Sequence, residues 1–349
     1  MGVQTMYVLA PYCEVRKVGD AFHVGFGSAR TIVDDPAEVD GLFRILAQFR
    51  TPADLEGFRA DLVGERSVEL VDRLVRNRVL VPSKDVPEYN RHHREQLYFL
   101  LAGAAPNDVS GRLARSSVTI VGCGGIGSLM ALKLATVGVG EVVLMDDDLV
   151  EPHNLSRQFL FREGDVGFAK VGILKRELEL RNSNVSIVGV PERARFEHDV
   201  NIPRSDVLIL AADEPGIIPK ANAYCIDADQ AFMHICYIND IAAWGPLVVP
   251  GSSGCWSCQA HIGSTQSQRS SEDQEVLDDI NGSYTCPVIS SVSSIAVSLA
   301  CLDVLRHLGR FGEPKSLNHR IGLWTHELRF EYQDFSRNPG CVDCGRMPS

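Results

Sequence analysis

With 349 residues, 45% of them hydrophobic, the chain can bury one large core with a smaller domain appended, as an ordinary globular protein does. A formal net charge of −11 opposes a surface built to neutralise phosphates along a nucleic acid, so no nucleic-acid partner is expected. The opening "MGVQTMYVLAPYCEV" lacks the charged flank and long apolar run of a signal peptide, and no later stretch reads as long enough to span a bilayer; no membrane and a cytoplasmic location are expected.

Residues 1–85 read as a separate small domain. "MYVLAPYCEVRKV", "AFHVGFG" and "ARTIVDD" alternate as short strands do. "AEVDGLFRILAQF", "PADLEGFRADL" and "SVELVDRLVRNRVLV" carry helical periodicity, so three strands followed by three helices make a winged-helix-like module. A polar, proline-containing connector, "VPSKDVPEYNRHHREQ", leads to a helix over about 92–102 and opens a second domain, residues 86–349.

From Ser117 the pattern becomes strand, glycine turn, helix, strand. "SVTIV" is an apolar strand, Gly127 to Gly138 a helix, "EVVLMD" a strand and "VGILKRELELRN" a helix; "VSIVGV" and "DVLILAAD" are further strands. The alternation predicts an α/β fold with a doubly wound, Rossmann-like, mainly parallel sheet. Next come a helix in "IIPKANAYCIDAD", strands in "AFMHICYI" and "GPLVVPG", an apolar helix in "VISSVSSIAVSLACLDVLRHLG" and one late strand in "RIGLWTHELRFEY". The polar run at 263–283 reads as a mobile loop over the site.

Gly122, Gly124 and Gly127 satisfy G-x-G-x-x-G directly after a strand and at a helix start, where free N–H groups meet a phosphate. Asp146 ends the next strand, where a carboxylate can hold a ribose hydroxyl. Those features suit a redox dinucleotide and ATP alike. The continuation "DDDLVEPHNLSRQ" and "DVGFAK" separates them, because it adds Asn154, Arg157 and Lys170. A dehydrogenase has no need of such a phosphate-directed cluster, whereas attack on the α-phosphorus of a triphosphate requires fixed cations and a metal.

Four of the ten cysteines form two C-x-x-C pairs, Cys255/Cys258 and Cys341/Cys344, each beside residues suited to a tight turn. Two such pairs in a chain expected to be cytoplasmic give the four thiolates of a closed structural zinc site, tying the C-terminal segment to the middle of the chain. Cys286, in "YTCPVISS", is the thiol open to a nucleophilic role; Cys13, Cys123, Cys225, Cys236 and Cys301 read as core thiols. His92, His93, His153 and His234 stand near the site without a partner pattern.

"GCGGIG", "DDDLVEPHNLSRQ", "VGFAK", "AAD" and the two C-x-x-C pairs together resemble the ubiquitin-activating-like adenylating enzymes, the ThiF and MoeB superfamily, from about residue 91 onward. "KREL", "NDIAAWGPLVVPG" and "SLNHRIG" are similar to segments of its peptide-modifying branch, which matures microcin- and pantocin-type peptides, and with the N-terminal module the likeness covers nearly the whole chain. The resemblance implies that Gly122, Gly124, Gly125 and Gly127 line the nucleotide turn. Asp146, with Asp148 beside it, would hold the ribose; Asn154, Arg157, Gln158 and Lys170 would face ATP and its phosphates, and Asp213 would hold magnesium. It further implies a homodimer in which an arginine of "RHHREQ", Arg94 or else Arg91, reaches the partner subunit's site. The N-terminal module would recognise the leader of a ribosomally made precursor peptide by strand addition. The expected activity is ATP-dependent adenylation of a peptide carboxyl or carboxamide, followed by dehydrative cyclisation or retention of AMP. Activation of a ubiquitin-like sulfur carrier is the second enzymatic reading, and a nucleotide-regulated peptide-binding protein is the non-catalytic one.

Overall fold

The structure, a computed structural model, describes residues 5–62, 65–259 and 285–345. The segment 263–283 therefore lies outside the described residues. The chain divides into two compact units, residues 1–111 and 112–349.

In the first unit β1 (Met6–Leu9) pairs antiparallel with both β5 (Ala53–Asp54) and β6 (Leu80–Pro82). A separate meander joins β2 (Val15–Val18), β3 (Ala21–Val24) and β4 (Thr31–Val33). The helices are α1 (Pro36–Gln48), α2 (Leu55–Ala60), α3 (Glu65–Arg76) and α4 (His93–Leu101), with α5 (Pro106–Leu113) at the boundary. Asp35 begins α1 by accepting from Ala37 N at 2.9 Å, with Pro36 at the first helical position, where its missing N–H costs nothing. Asp54 caps α2 in the same way, accepting from Gly57 N at 3.0 Å. Val24, Val33, Leu42, Ile45, Phe49, Leu70 and Leu74 share one buried core between the strands and helices. Strands and helices thus alternate more than expected: β5 and β6 fall among the helices rather than before them.

The second unit is built on one eight-stranded sheet in the order β14-β13-β12-β11-β10-β7-β8-β9. Its strands are β7 (Ser117–Val121), β8 (Glu141–Met145), β9 (Ser186–Val190), β10 (Val207–Leu210), β11 (Ala231–Ile238), β12 (Ile241–Val248), β13 (His319–Trp324) and β14 (Arg329–Asp334). β9, β8, β7, β10 and β11 pair in parallel; β12, β13 and β14 extend the sheet antiparallel. The connecting helices are α6 (Gly125–Val137), α7 (Lys170–Glu179), α8 (Ile217–Asp227) and α9 (Ser290–Gly309). The parallel strands are buried on both faces, which is why "SVTIV" and "VLIL" are continuous apolar runs rather than alternating ones. From β7 the chain goes to β8 on one side and later returns to β10 on the other. Order reverses there, and a crevice opens beyond the carboxyl ends of β7 and β10.

Two expectations need correction. The late segment is a hairpin, β13 and β14, rather than one strand; the turn between them places Leu328 at φ 52°, without the glycine or asparagine that usually marks such a position. Among the described residues, α9 has the length and apolarity of a membrane span, contrary to the expectation that no stretch would. Its apolar side chains serve the interior: 56% of the span is buried, against α6, β11 and β12. Asp303 within it is satisfied on all sides, accepting from Lys315 N and Ser316 N at 2.8 Å, Trp244 Nε1 at 3.3 Å and Arg306 Nη1 at 3.0 Å.

Candidate active site

A cleft of ≈ 540 Å³ lies at the switch point of the second unit, lined by the loops that follow β7, β8, β10 and β11. Its floor is the glycine turn. Gly122 has φ +91°, and a Cβ there would meet Ala212 N at 2.7 Å, so only glycine lets the loops after β7 and β10 come this close. Gly124 and Gly125 line the cleft with room above them; a Cβ on Gly124 would meet nothing nearer than Gln158 Nε2 at 3.7 Å. Gly127 is not among the lining residues. A Cβ there would overlap Gly122 O and stand 2.9 Å from Gly122 C, so its task is to seat α6 against the end of β7. Among the described residues no side chain caps α6, which leaves its first N–H groups for an anion.

Asp146 leaves β8 into the cleft with its carboxylate held by backbone: Oδ2 accepts from Cys123 N at 2.6 Å and Oδ1 from Asp148 N at 2.8 Å. Burial raises its pKa, and the two backbone donors oppose that. The loop after β8 is zipped to the segment before α7 by Val150 N to Phe168 O at 2.8 Å, Gly167 N to Val150 O at 2.9 Å and Lys170 N to Asp148 O at 3.1 Å. That ladder delivers Lys170, only 6% exposed, to the cleft, where Nζ lies 2.6 Å from Asp148 Oδ2. Asn154 is buried and accepts from Glu151 N at 3.0 Å; Arg157 donates to His153 O at 2.7 Å. Gln158 is buried at the cleft wall, and its Oε1 has no partner among the described residues. Asp213, three residues past β10, lines the cleft and is exposed.

Gly122, Gly124, Gly125, Asp146, Asp148, Asn154, Arg157, Gln158, Lys170 and Asp213 therefore share one cleft. Arg94, exposed in the first turn of α4, belongs to the first unit, as does Arg91. Sequence reasoning did not find Tyr237, Cys236 or Arg193 there. Burial raises the Tyr237 pKa and the neighbouring Arg157 lowers it, while Cys286 and Asp213 are close enough to raise it further. Cys236, read as a core thiol, instead lines the cleft with Cys286 and accepts from Arg320 Nη2 at 3.3 Å. Its position follows from strand pairing far along the chain, which local spacing does not reveal.

The four paired cysteines converge as expected. Sγ–Sγ distances are 3.5 Å for Cys255–Cys341, 3.4 Å for Cys258–Cys344 and 3.9 Å for Cys255–Cys258. A tetrahedron of sulfurs about 2.3 Å from a zinc ion has edges of about 3.8 Å, so the set could hold that metal with no open position. Backbone donors support the sulfurs: Cys255 N and Asn338 N each reach Cys258 Sγ at 3.4 Å.

The sequence matches the ThiF family over residues 99–343. The structure is similar to that of E. coli MccB with MccA-N7isoASN, at 33% identity and TM-score 0.88, covering 98% of this chain and 100% of that one. It shares its fold with PaaA, at 20% identity and TM-score 0.66, over 94% of this chain and 99% of that one. The SAMP-activating enzyme E1 of Haloferax volcanii is 36% identical over 267 residues, 75% of this chain and 91% of its own length. The chain also spans about half the length (49%) of mouse adenylyltransferase and sulfurtransferase MOCS3. With the glycine turn, the acidic strand end and the Cys255/Cys258 pair all inside the matched segment, the chain belongs to the ThiF family.

Proposed function

We propose that the chain is an ATP- and magnesium-dependent enzyme that adenylates a carboxyl or carboxamide group of a ribosomally made precursor peptide. One observation carries this reading above others: the likeness to MccB covers 98% of the chain, including the first unit, whereas the ThiF family match begins at residue 99. MccB is known in complex with the MccA peptide and with ATP.

In the proposed reaction the nucleoside lies toward β8, its ribose at Asp146 and its phosphates over Gly124 and Gly125. A peptide oxygen attacks the α-phosphorus, the bond to the β-phosphate breaks, and pyrophosphate leaves with the electron pair. Arg157 and Lys170 hold the charge that develops on the phosphate oxygens. The cleft also carries Asp146, Asp147, Asp148, Asp213 and Glu214, too many carboxylates to admit a polyphosphate without a metal ion. Asp213 would hold magnesium, which when bound supplies positive charge to the phosphates. A nucleophile of the same peptide then attacks the activated carbon and AMP leaves with its oxygen, giving a dehydrated, cyclised peptide; in the other outcome a peptide nitrogen attacks the phosphorus, the carboxyl or carboxamide oxygen leaves, and AMP stays on nitrogen. The first unit would bind the leader along an open edge of β2 or β4, and a homodimer would let Arg94 or Arg91 complete the partner subunit's site. The cysteine set would hold a structural zinc ion.

Activation of a ubiquitin-like sulfur carrier is the second reading, favoured by the 34% identity to the sulfur carrier protein adenylyltransferase of Thermus thermophilus. Incubation with ATP, magnesium and synthetic peptides from the short reading frames flanking the coding sequence, read by intact mass, separates the two. Peptide-dependent addition of AMP or loss of water supports the proposal; adenylation confined to a Gly-Gly-ended carrier protein replaces it.

A further inference from the structure

We propose that His234 is a positioning residue for the peptide: its buried Nδ1, without a partner among the described residues, hydrogen-bonds an amide of the residue being adenylated. This rests on the peptide-adenylation reading and names a group that reading does not use.

Strand register places it. Met145, Val121, Leu210 and His234 form one row across the parallel strands, with Val121 opposite both Met145 and Leu210, and Leu210 opposite His234. Three strand spacings separate β8 from β11, about 14 Å, the length of a nucleotide laid across the edge. With ribose at Asp146 beyond β8 and phosphates over the loops after β7 and β10, the acyl group reacting at the α-phosphorus falls on the β11 side. His234 lines the cleft there beside Tyr237 and Cys236. Opposite it the pairing of β11 with β12 slips: Met233 faces Leu247 and Ile235 faces Trp244, leaving Gly245 and Pro246 against His234 alone. Such a bulge re-aims a side chain next to a site. Gly245 has φ +86°, and a Cβ there would meet His319 O at 2.5 Å, so the bulge admits no larger residue.

The ring packs edge-on against Trp256 with centroids 5.8 Å apart, and is 5% exposed. Among the described residues only two partnerless buried side-chain atoms belong to cleft-lining residues, Gln158 Oε1 toward the nucleotide and His234 Nδ1 at the opposite end. A buried polar atom left without a partner is costly, and each here fits a ligand that supplies one. Burial, with the Arg320 cation nearby, drives the His234 pKa down to about 3, so the ring meets the peptide uncharged. A neutral imidazole offers one donor and one acceptor, which matches an amide better than a bare carboxylate.

The test compares the unaltered enzyme with His234→Leu and His234→Asn on the flanking-frame peptides, reading AMP transfer and pyrophosphate release. For His234→Leu we expect a peptide KM raised about tenfold or more, an ATP KM within about twofold, and a thermal midpoint that does not fall, since an apolar side chain removes an unsatisfied atom. His234→Asn, which can present a polar atom near Nδ1, restores most of the loss. A peptide KM unchanged in His234→Leu overturns the inference, as does a rise in both KM values accompanied by a fall in the midpoint, which marks a structural role. No turnover of any peptide by the unaltered enzyme refutes the functional reading itself, and this inference with it.

Discussion

Two glycines of the turn can be told apart by the space around them. Gly124→Ala adds a methyl group whose nearest neighbour would be Gln158 Nε2 at 3.7 Å, an ordinary contact, at a residue with φ −75° that alanine adopts freely. The fold should accept it, and stability should stay within about 0.5 kcal/mol. The methyl group would nevertheless occupy the floor where phosphates approach backbone, so ATP affinity should fall at least tenfold, about 1.4 kcal/mol. Gly127→Ala differs because its Cβ would overlap Gly122 O and sit 2.9 Å from Gly122 C, against a favourable carbon separation of about 3.5–4.0 Å. The end of β7 and the start of α6 must part by roughly 0.6–1 Å or more, with an overpacking cost of about 1–3 kcal/mol. That shift also displaces the uncapped N–H groups, so stability and ATP affinity should fall together. Calorimetric titration with a non-hydrolysable ATP analogue and thermal unfolding of both variants measure the two effects. The reasoning is refuted if Gly127→Ala keeps its midpoint, or if Gly124→Ala binds the analogue as the unaltered chain does.

Lys170→Met removes the only cation bonded to Asp148 among the described residues and leaves the Asp146–Asp148 carboxylates facing the phosphates; kcat should fall by about 10²–10³ with peptide affinity retained, as single-turnover and binding assays would report. Asp213→Asn should abolish turnover while leaving peptide binding intact, and unchanged modification would remove Asp213 from the mechanism. Elemental analysis should find one zinc per chain, and Cys341→Ser should lose the metal and lower stability by several kcal/mol; a metal-free protein of full stability would contradict the structural site. Cys286→Ser should keep AMP transfer within about threefold, since no step of the proposed reaction uses its thiol, whereas complete loss of transfer would revive the nucleophilic role.

Much of the site was legible because it is written locally. The strand, the glycines and the acidic strand end lie within about 30 residues, and each C-x-x-C pair marks itself by spacing, so these positions could be named before any fold was known. What escaped depends on pairing between distant segments or on turns lacking their usual residues. β5 is two residues long and was hidden in a helical pattern because Asp54 both ends the strand and caps α2. The β13–β14 hairpin hid behind Leu328, which adopts a positive φ without being glycine. Asp303 lies within an apolar helix, and its four donors come from three different parts of the chain. Cys236 read as a core thiol, since nothing near it in sequence announces that β11 ends at the cleft; His234 read as near the site, with nothing local to give it a role there.

The central claim is tested most directly by intact-mass spectrometry of the flanking-frame peptides after incubation with the protein, ATP and magnesium. Peptide adenylation predicts a peptide that gains AMP or loses water, with pyrophosphate released in step. Unmodified peptides beside an adenylated Gly-Gly carrier protein would contradict it.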